Sequence, residues 1–303
     1  MNPPSRTRRL WTLLSASVSL WLSRNAFIHA GALAFYTLFS MAPILVVAVG
    51  IAGAVFGEEA ARGEVMARLA TYVGAEAARV IERALADARP TVAGVLPTVA
   101  GALVVVAGAT TVFAQLQVSL NRIWGVAPHP HRSSIMLFLR SRALSALVVL
   151  AIGILLLGLL VLNVAFVAVV NRLGWGAESA VLATAAEMLL SVAVLTALFA
   201  VLFRVLPQVE LSWRDVGVGA AVTALLFVVG RLAIAMYLAR TAPASAFGAA
   251  GALALILLWV YYSALIFFFG AALIRTRLVL AGRPVVPRAT AALVTEHIAG
   301  LDE

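Results

Sequence analysis

Apolar residues gather in long stretches separated by short charged ones. Residues 25–57, 90–121, 143–171 and 241–274 contain no Asp, Glu, Lys or Arg, and 179–203 and 216–239 contain one charged residue each. A helix needs about 20 apolar residues to cross a hydrocarbon core. The pattern therefore predicts six transmembrane helices, near 32–56, 93–116, 145–168, 180–203, 216–238 and 249–272. The expected fold class is all-α, an integral membrane bundle.

Two segments outside those spans also carry helical periodicity. Within 58–89, Val65, Leu69, Tyr72, Val73, Val80, Ala84 and Leu85 recur at helical spacing. Glu58 with Arg62 and Glu64 with Arg68 are i,i+4 pairs in the favourable order. Gly74 divides the segment, which reads as extracytoplasmic amphipathic helices capping the bundle or contacting another copy. Near the N-terminus, Leu10, Leu14, Val18 and Trp21 share a face behind Arg6, Arg8 and Arg9. That pattern fits an interfacial helix in the headgroup region or a short cytoplasmic helix packed on the bundle. The chain then divides into an N-terminal cytoplasmic or interfacial helix (1–28), a transmembrane domain (29–274) and a cytoplasmic tail (275–303).

Composition agrees. Hydrophobic residues make up 63% and charged residues 12%, about half the charged share of a soluble domain. The net charge of +9 comes from arginine alone, since the chain has no lysine. Its distribution argues for orientation rather than nucleic-acid binding. Arg6, Arg8, Arg9 and Arg24 precede the first span, Arg122, Arg132, Arg140 and Arg142 fill an acid-free loop, and Arg275, Arg277, Arg283 and Arg288 follow the last span. All three sets share one side of a six-span protein, which the positive-inside rule makes cytoplasmic, together with both termini. The start of the chain does not read as a cleaved signal peptide, because Arg24 and His29 interrupt it before the first long apolar run. Without cysteine there are no disulfides or thiolate metal sites. His129 and His131 flank Pro130 with no carboxylate partner, so no metal and no cofactor is expected.

The candidate chemistry is intramembrane polarity. Thr184, Glu187 and Ser191 share a face of the fourth span. Gly217, Ala221, Ala224, Val228, Arg231 and Ala235 form a small-residue face on the fifth, which should turn Arg231 towards the bundle. The two spans are antiparallel and put Glu187 and Arg231 at similar depth, so a direct pair is expected, with Asn163 and Gln115 as further partners. Gln115 belongs to a polar face of Gly108, Thr111, Gln115 and Ser119 leading to Arg122. Charges in hydrocarbon cost roughly 2.5–3.5 kcal/mol on insertion scales and persist for a reason. Either the pair fixes helix register, or Arg231 anchors a polar or anionic headgroup with Glu187 as counter-charge. Pro43 removes a backbone donor behind Thr37 and Ser40, a candidate hinge in the first span.

The chain resembles the YihY/BrkB family of bacterial inner-membrane proteins, once mislabelled as ribonuclease BN. The resemblance rests on His29-Ala-Gly31-Ala-Leu-Ala34-Phe35-Tyr36 leading to Pro43, Asn121-Arg122-Ile-Trp124, and Phe203-Arg204-Val-Leu-Pro207 with Trp213. It continues through Tyr237, Phe247-Gly248-Ala-Ala-Gly251, Leu258-Trp259-Val-Tyr261 and Gly270-Ala271. It implies six spans, cytoplasmic termini and a bacterial cytoplasmic-membrane location. Relatives often carry glutamate where this chain has Ala272, and tyrosine where it has Phe247. A role in moving lipids or envelope glycolipids is suggested for some relatives and serum resistance for others.

The function expected is a transporter or flippase-like protein for a lipid, anionic lipids included, or another amphiphile. No P-loop exists without lysine, so ATP does not drive it through that motif. The alternative is a membrane scaffold or envelope-assembly factor using 58–89. A nuclease needs clustered His and carboxylates that the chain does not supply, so no enzyme is expected. The Gly248/Gly251 spacing serves packing within a monomer or in a homo-oligomer equally well.

Overall fold

A computed structural model of the chain describes residues 6–57, 111–128, 177–241 and 243–294, with a few positions between 59 and 83. Helix α1 (Arg6–Ser23) turns at Asn25, whose φ of 54° breaks the helix, into α2 (Ala26–Phe56). A helix over 111–124, here α3, ends in strand β1 (Val126–Pro128). Then come α4 (Ala177–Val205), α5 (Trp213–Thr241), α6 (Pro243–Leu280) and strand β2 (Ala291–Leu293). The predicted first, fourth, fifth and sixth spans fall inside α2, α4, α5 and α6. The predicted third span, 145–168, and most of the second lie outside the described residues. Among the described residues three helices are long and apolar enough to cross a membrane, over Met188–Val205, Trp213–Ile234 and Leu253–Leu280.

Local chemistry sets the helix ends. Ser212 and Asp215 form a capping box at the start of α5. The Asp215 amide donates to Ser212 Oγ at 3.3 Å, and the Ser212 amide donates to Asp215 Oδ2 at 3.0 Å. At the end of α6, Gly282 takes a left-handed conformation (φ 70°), the Gly282 amide reaches Val279 O and the Arg283 amide reaches Leu278 O, both at 3.0 Å. This is a Schellman turn, and it sends the chain back towards the bundle.

Helix α6 packs against α1, α2 and α5, while α4 packs against α5. In hydrocarbon, close van der Waals packing rather than water exclusion holds such contacts. A Cβ on Gly219 would lie 2.2 Å from Ile274 Cγ1, one on Gly230 1.9 Å from Tyr262 Cε1, and one on Gly270 2.0 Å from Thr223 Oγ1. The working small-residue seam of α5 is thus Gly219, Ala220, Thr223, Ala224 and Gly230, which are buried. The predicted face is corrected in part: Ala224 and Val228 are buried, but Gly217 is half-buried and Ala221 exposed. The seam follows the side of α5 that meets α6, which spacing on one helix does not disclose.

Aromatic rings fill the space between α4, α5 and α6. Phe203 and Phe267 stack with centroids 4.5 Å apart, and Phe227 meets Phe199 at 5.8 Å and Trp259 at 5.2 Å.

The segment after α6 is not a free tail. Strand β2 pairs antiparallel with β1, Val126 opposite Leu293, and Val209 bridges Pro287. The Glu210 amide donates to Val286 O at 2.9 Å and the Arg288 amide to Gln208 O at 3.0 Å. The helical class expected is what the structure shows, and this small two-stranded sheet is an addition to it. It forms because 283–294 runs extended across two loops and pairs its backbone with both. The strap gathers the ends of α3, α4 and α6 and the start of α5 at one end of the bundle, the strap end below.

Within 58–89 the described residues Glu59, Arg62, Gly63, Met66, Ala67, Ala78, Arg79, Glu82 and Arg83 are helical. Arg62 pairs with Glu82 at 3.4 Å, bringing the two halves of the segment together.

Candidate functional site

Arg231 stands on α5 one turn beyond Phe227. Ala220, Ala224, Phe227 and Arg231 follow one another at spacings of four, three and four, so they share a side of the helix. Ala220 and Ala224 are fully buried and Phe227 is wedged between Phe199 and Trp259. Arg231 itself is exposed. This corrects the expectation of a guanidinium packed into the bundle. The seam with α6 continues to Gly230, packed on Tyr262, while Arg231 next to it is open. Leu225, Val229, Leu232 and Met236 around it are also exposed, so the charge sits in an apolar neighbourhood.

The other expected residues distribute as follows. Glu187 and Arg231 lie at matching distances from the ends of α4 and α5 that meet at the 206–212 turn, so the depth agreement holds in the backbone. Thr184, Glu187 and Pro43 are placed by backbone alone, and α2 continues as helix through Pro43. Their side-chain contacts, the Glu187–Arg231 pair among them, lie outside the described residues, as does Asn163. Ser191 is exposed on α4 and Thr111 half-buried at the start of the described part of α3. Gln115 is half-buried and donates from Nε2 to Ser119 Oγ at 3.4 Å.

Ser119, fully buried, also lies 3.4 Å from His29 Nδ1 and donates to Gln115 O at 2.9 Å. The polar face of α3 thus meets the beginning of α2. His29 precedes the predicted first span, and burial, aided by the Arg122 charge, lowers its pKa from the ordinary 6.5.

Charge counting missed a second cluster, because it treated the arginines as orientation signals alone. At the strap end Arg275 Nη1 donates to Ile123 O, and Arg288 donates to Val205 O at 3.3 Å and Arg204 O at 2.7 Å. Arg204 lies 4.2 Å over the Trp213 ring, and Arg283 forms an ion pair with Asp215. Arg288 therefore caps the carbonyl end of α4, where a cation complements the helix dipole. Arg24 and Arg275 converge on Gly125, whose φ is 69°. Arg24 Nη2 is 3.4 Å and Arg275 Nη2 3.3 Å from where a Cβ would be. Next to Gly125, Trp124 is 1% exposed and its Nε1 has no hydrogen-bond partner. Among the described residues no group of three or more His, Asp or Glu is placed to hold a metal ion.

Some of the residues that carried the resemblance meet here. Asn121 bonds Gln208, Trp124 is buried, Phe203 lies against Gly270, and Arg204 covers Trp213. None of the curated proteins and none of the solved structures matches the chain. The family model described as virulence factor BrkB matches residues 18–282, from within α1 to the turn after α6, and the chain belongs to that family.

Proposed function

We propose that this membrane protein moves a lipid or a similar amphiphile across the bacterial inner membrane, with six spans and both chain ends in the cytoplasm. The observation that carries the reading is the position of Arg231, an exposed residue of an apolar helix one turn beyond the aromatic cluster of Phe199, Phe227 and Trp259. A charge at that depth of an apolar helix is tolerated where water or a headgroup reaches it. In this reading Arg231 anchors an anionic or polar headgroup, Glu187 at matching depth supplies the counter-charge, and the aromatic cluster blocks passage until helices α4 and α5 part. Gln115, Thr111, Thr184, Ser191 and Asn163 supply further polar contacts along the path, and Pro43 permits α2 to bend. No chemical bond is made or broken. Movement is passive, ion-coupled or energised by a partner.

The test is transbilayer movement of labelled phospholipid and glycolipid in liposomes holding the purified protein, with Arg231→Met and Glu187→Gln alongside. Folding of each variant is checked by thermal unfolding in detergent. Movement by wild type that is lost in folded variants supports the reading. Absence of movement across lipid classes overturns it. The scaffold alternative is favoured by one observation, the Arg62–Glu82 pair that ties the halves of 58–89 together. Deleting 58–89 would then abolish function without unfolding the bundle.

A further inference from the structure

We infer that helix α1 docks in the plane of an anionic lipid leaflet, fixed to the bundle by one side and immersed in lipid by another. The 18 residues of α1, about 27 Å of helix, present three different sides. Leu13, Ser17, Leu20 and Trp21 share the side turned to α6 by the i,i+3 and i,i+4 rule. Ser17 is fully buried, Leu20 and Trp21 pack against the core, and Trp21 Nε1 donates to Leu265 O at 3.2 Å. The second side is apolar and exposed. It holds Leu10, Leu14, Val18 and Leu22, four residues apart and between 41% and 59% exposed. The third side is polar and exposed, with Arg8, Thr12, Ser15, Ser19 and Ser23.

Both exposed sides run the length of the helix. A helix passing from lipid into water changes character along its axis. Helix α1 changes character around its axis instead, as a helix lying in the boundary plane does. Trp11, 73% exposed, stands one turn from Leu14 and from Ser15, on the border of the two sides. An indole favours the headgroup level. The hydroxyls of Thr12, Ser15 and Ser23 donate to the carbonyls of Arg8, Thr12 and Leu20 within α1, at 2.9, 3.2 and 2.9 Å. Bonded in this way, they suit a headgroup layer as well as bulk water. Asn25 then turns the chain into α2, where the exposed Phe27 and Ile28 carry apolar surface on to the first predicted span.

Charge selects the occupant. Arg6 opens α1, Arg8 and Arg9 are exposed in its first turn, and residues 1–57 contain no Asp or Glu. A segment with only positive charge is drawn to anionic headgroups. A second copy docked on the same face would instead bring a like-charged segment against it. The apolar row enters the leaflet by about 5–10 Å, while Trp21 keeps the helix on α6. The surface stands whether or not the protein moves lipid, so its fate and that of the transport reading are separable.

The chain has no cysteine, so a bimane label on one introduced cysteine reports a single position. The test uses full-length Leu14→Cys and Ser15→Cys in nanodiscs of equal phosphatidylglycerol and phosphatidylcholine, with Val18→Cys and Ser19→Cys as a second pair one turn on. All four positions are exposed, so the labels need no space inside the bundle. Labels at 14 and 18 are expected to be quenched by doxyl-labelled lipid and shielded from aqueous iodide, and labels at 15 and 19 the reverse. Doxyl phosphatidylglycerol should quench position 14 more than doxyl phosphatidylcholine does. Arg8→Gln and Arg9→Gln should each lower that preference about fivefold, the effect of one arginine near an anionic surface. A preference unchanged in the double variant overturns the anionic assignment. Equal access of lipid and iodide to both members of each pair overturns the in-plane placement. Iodide alone reaching 14 and 18 puts this side of α1 in water and overturns the proposal. Neither quencher reaching 14, with Leu14→Cys copies cross-linking to one another, makes a second copy the occupant and overturns it too.

Discussion

Asn121 and Gln208 hold each other by two hydrogen bonds. Asn121 Nδ2 donates to Gln208 Oε1 at 3.1 Å, and the Gln208 amide donates to Asn121 Oδ1 at 2.9 Å. The pair locks the end of α3 to the turn between α4 and α5. Gln117 adds a third tie through Leu206 O at 3.0 Å. Because Asn121 is buried, its removal leaves the Gln208 amide without an acceptor. Asn121→Ala is expected to lower stability by about 1–3 kcal/mol, read as an earlier thermal transition in detergent. Asn121→Asp keeps the acceptor but loses the Nδ2 donor and adds a buried charge, so it should be no better. A transition unchanged in Asn121→Ala would remove this pair from the clasp.

The contact between Gly270 and Thr223 sets the spacing of α5 and α6. A methyl group at 270 would lie 2.0 Å from Thr223 Oγ1 and 2.8 Å from Phe203 Cζ. Gly270→Ala should cost about 1–3 kcal/mol through overpacking. Thr223→Ala removes the nearer obstacle and should restore part of the loss in the double variant. Full additivity of the two losses would show that the helices are not in this register.

Asp215 serves two partners at once. It accepts from the Ser212 amide and hydroxyl at the start of α5, and from Arg283 beyond α6. Asp215→Ala is expected to cost about 0.5–2 kcal/mol from the cap. Arg283→Gln should cost less, because that arginine is largely in water. High salt should narrow the gap between wild type and Arg283→Gln but leave that for Asp215→Ala mostly intact. Chemical denaturation at two ionic strengths separates the contributions.

His29 gives the protein a pH dependence of definite sign. Its folded pKa lies below 6.5, so the unfolded chain binds the proton more readily. Stability from the neutral ring is fully present above pH 6.5 and falls as pH drops below it, levelling off once the folded pKa is passed. The groups facing the ring are Ser119 and the Arg122 charge. His29→Gln should flatten the stability profile through the acid range. Arg122→Gln should move the decline to a narrower window by letting the folded pKa rise. Thermal unfolding followed from neutral to mildly acidic pH checks both.

How much was legible follows from where the information resides. The breaks around α2, α4, α5 and α6 come from charge placement, because a charge ends a span at an energy cost that every residue of the run must share. The relative depth of Glu187 and Arg231 is also visible, since two antiparallel helices joined by a short turn keep their register. Which side of α5 is packed was not, and Ala221 and Arg231 turned out exposed. A small residue permits close approach but does not say which neighbour approaches. The outward stripe of α1 shows the same limit. Leu10, Leu14 and Val18 are exposed, yet Leu22 completes the row while Trp21 turns to α6.

The sequence by itself determined that this chain lives in a membrane as apolar helices and belongs to the BrkB family, because hydropathy runs and motif order are local properties. Only the tertiary structure decided that 283–294 is a strap, that Arg275 and Arg288 bind backbone carbonyls, and that Arg24 reaches Gly125. Those contacts join residues far apart in the chain, and an arginine reads the same in sequence whether it faces water, a carbonyl or another arginine. Its meaning is set by what the fold brings within about 3 Å of it.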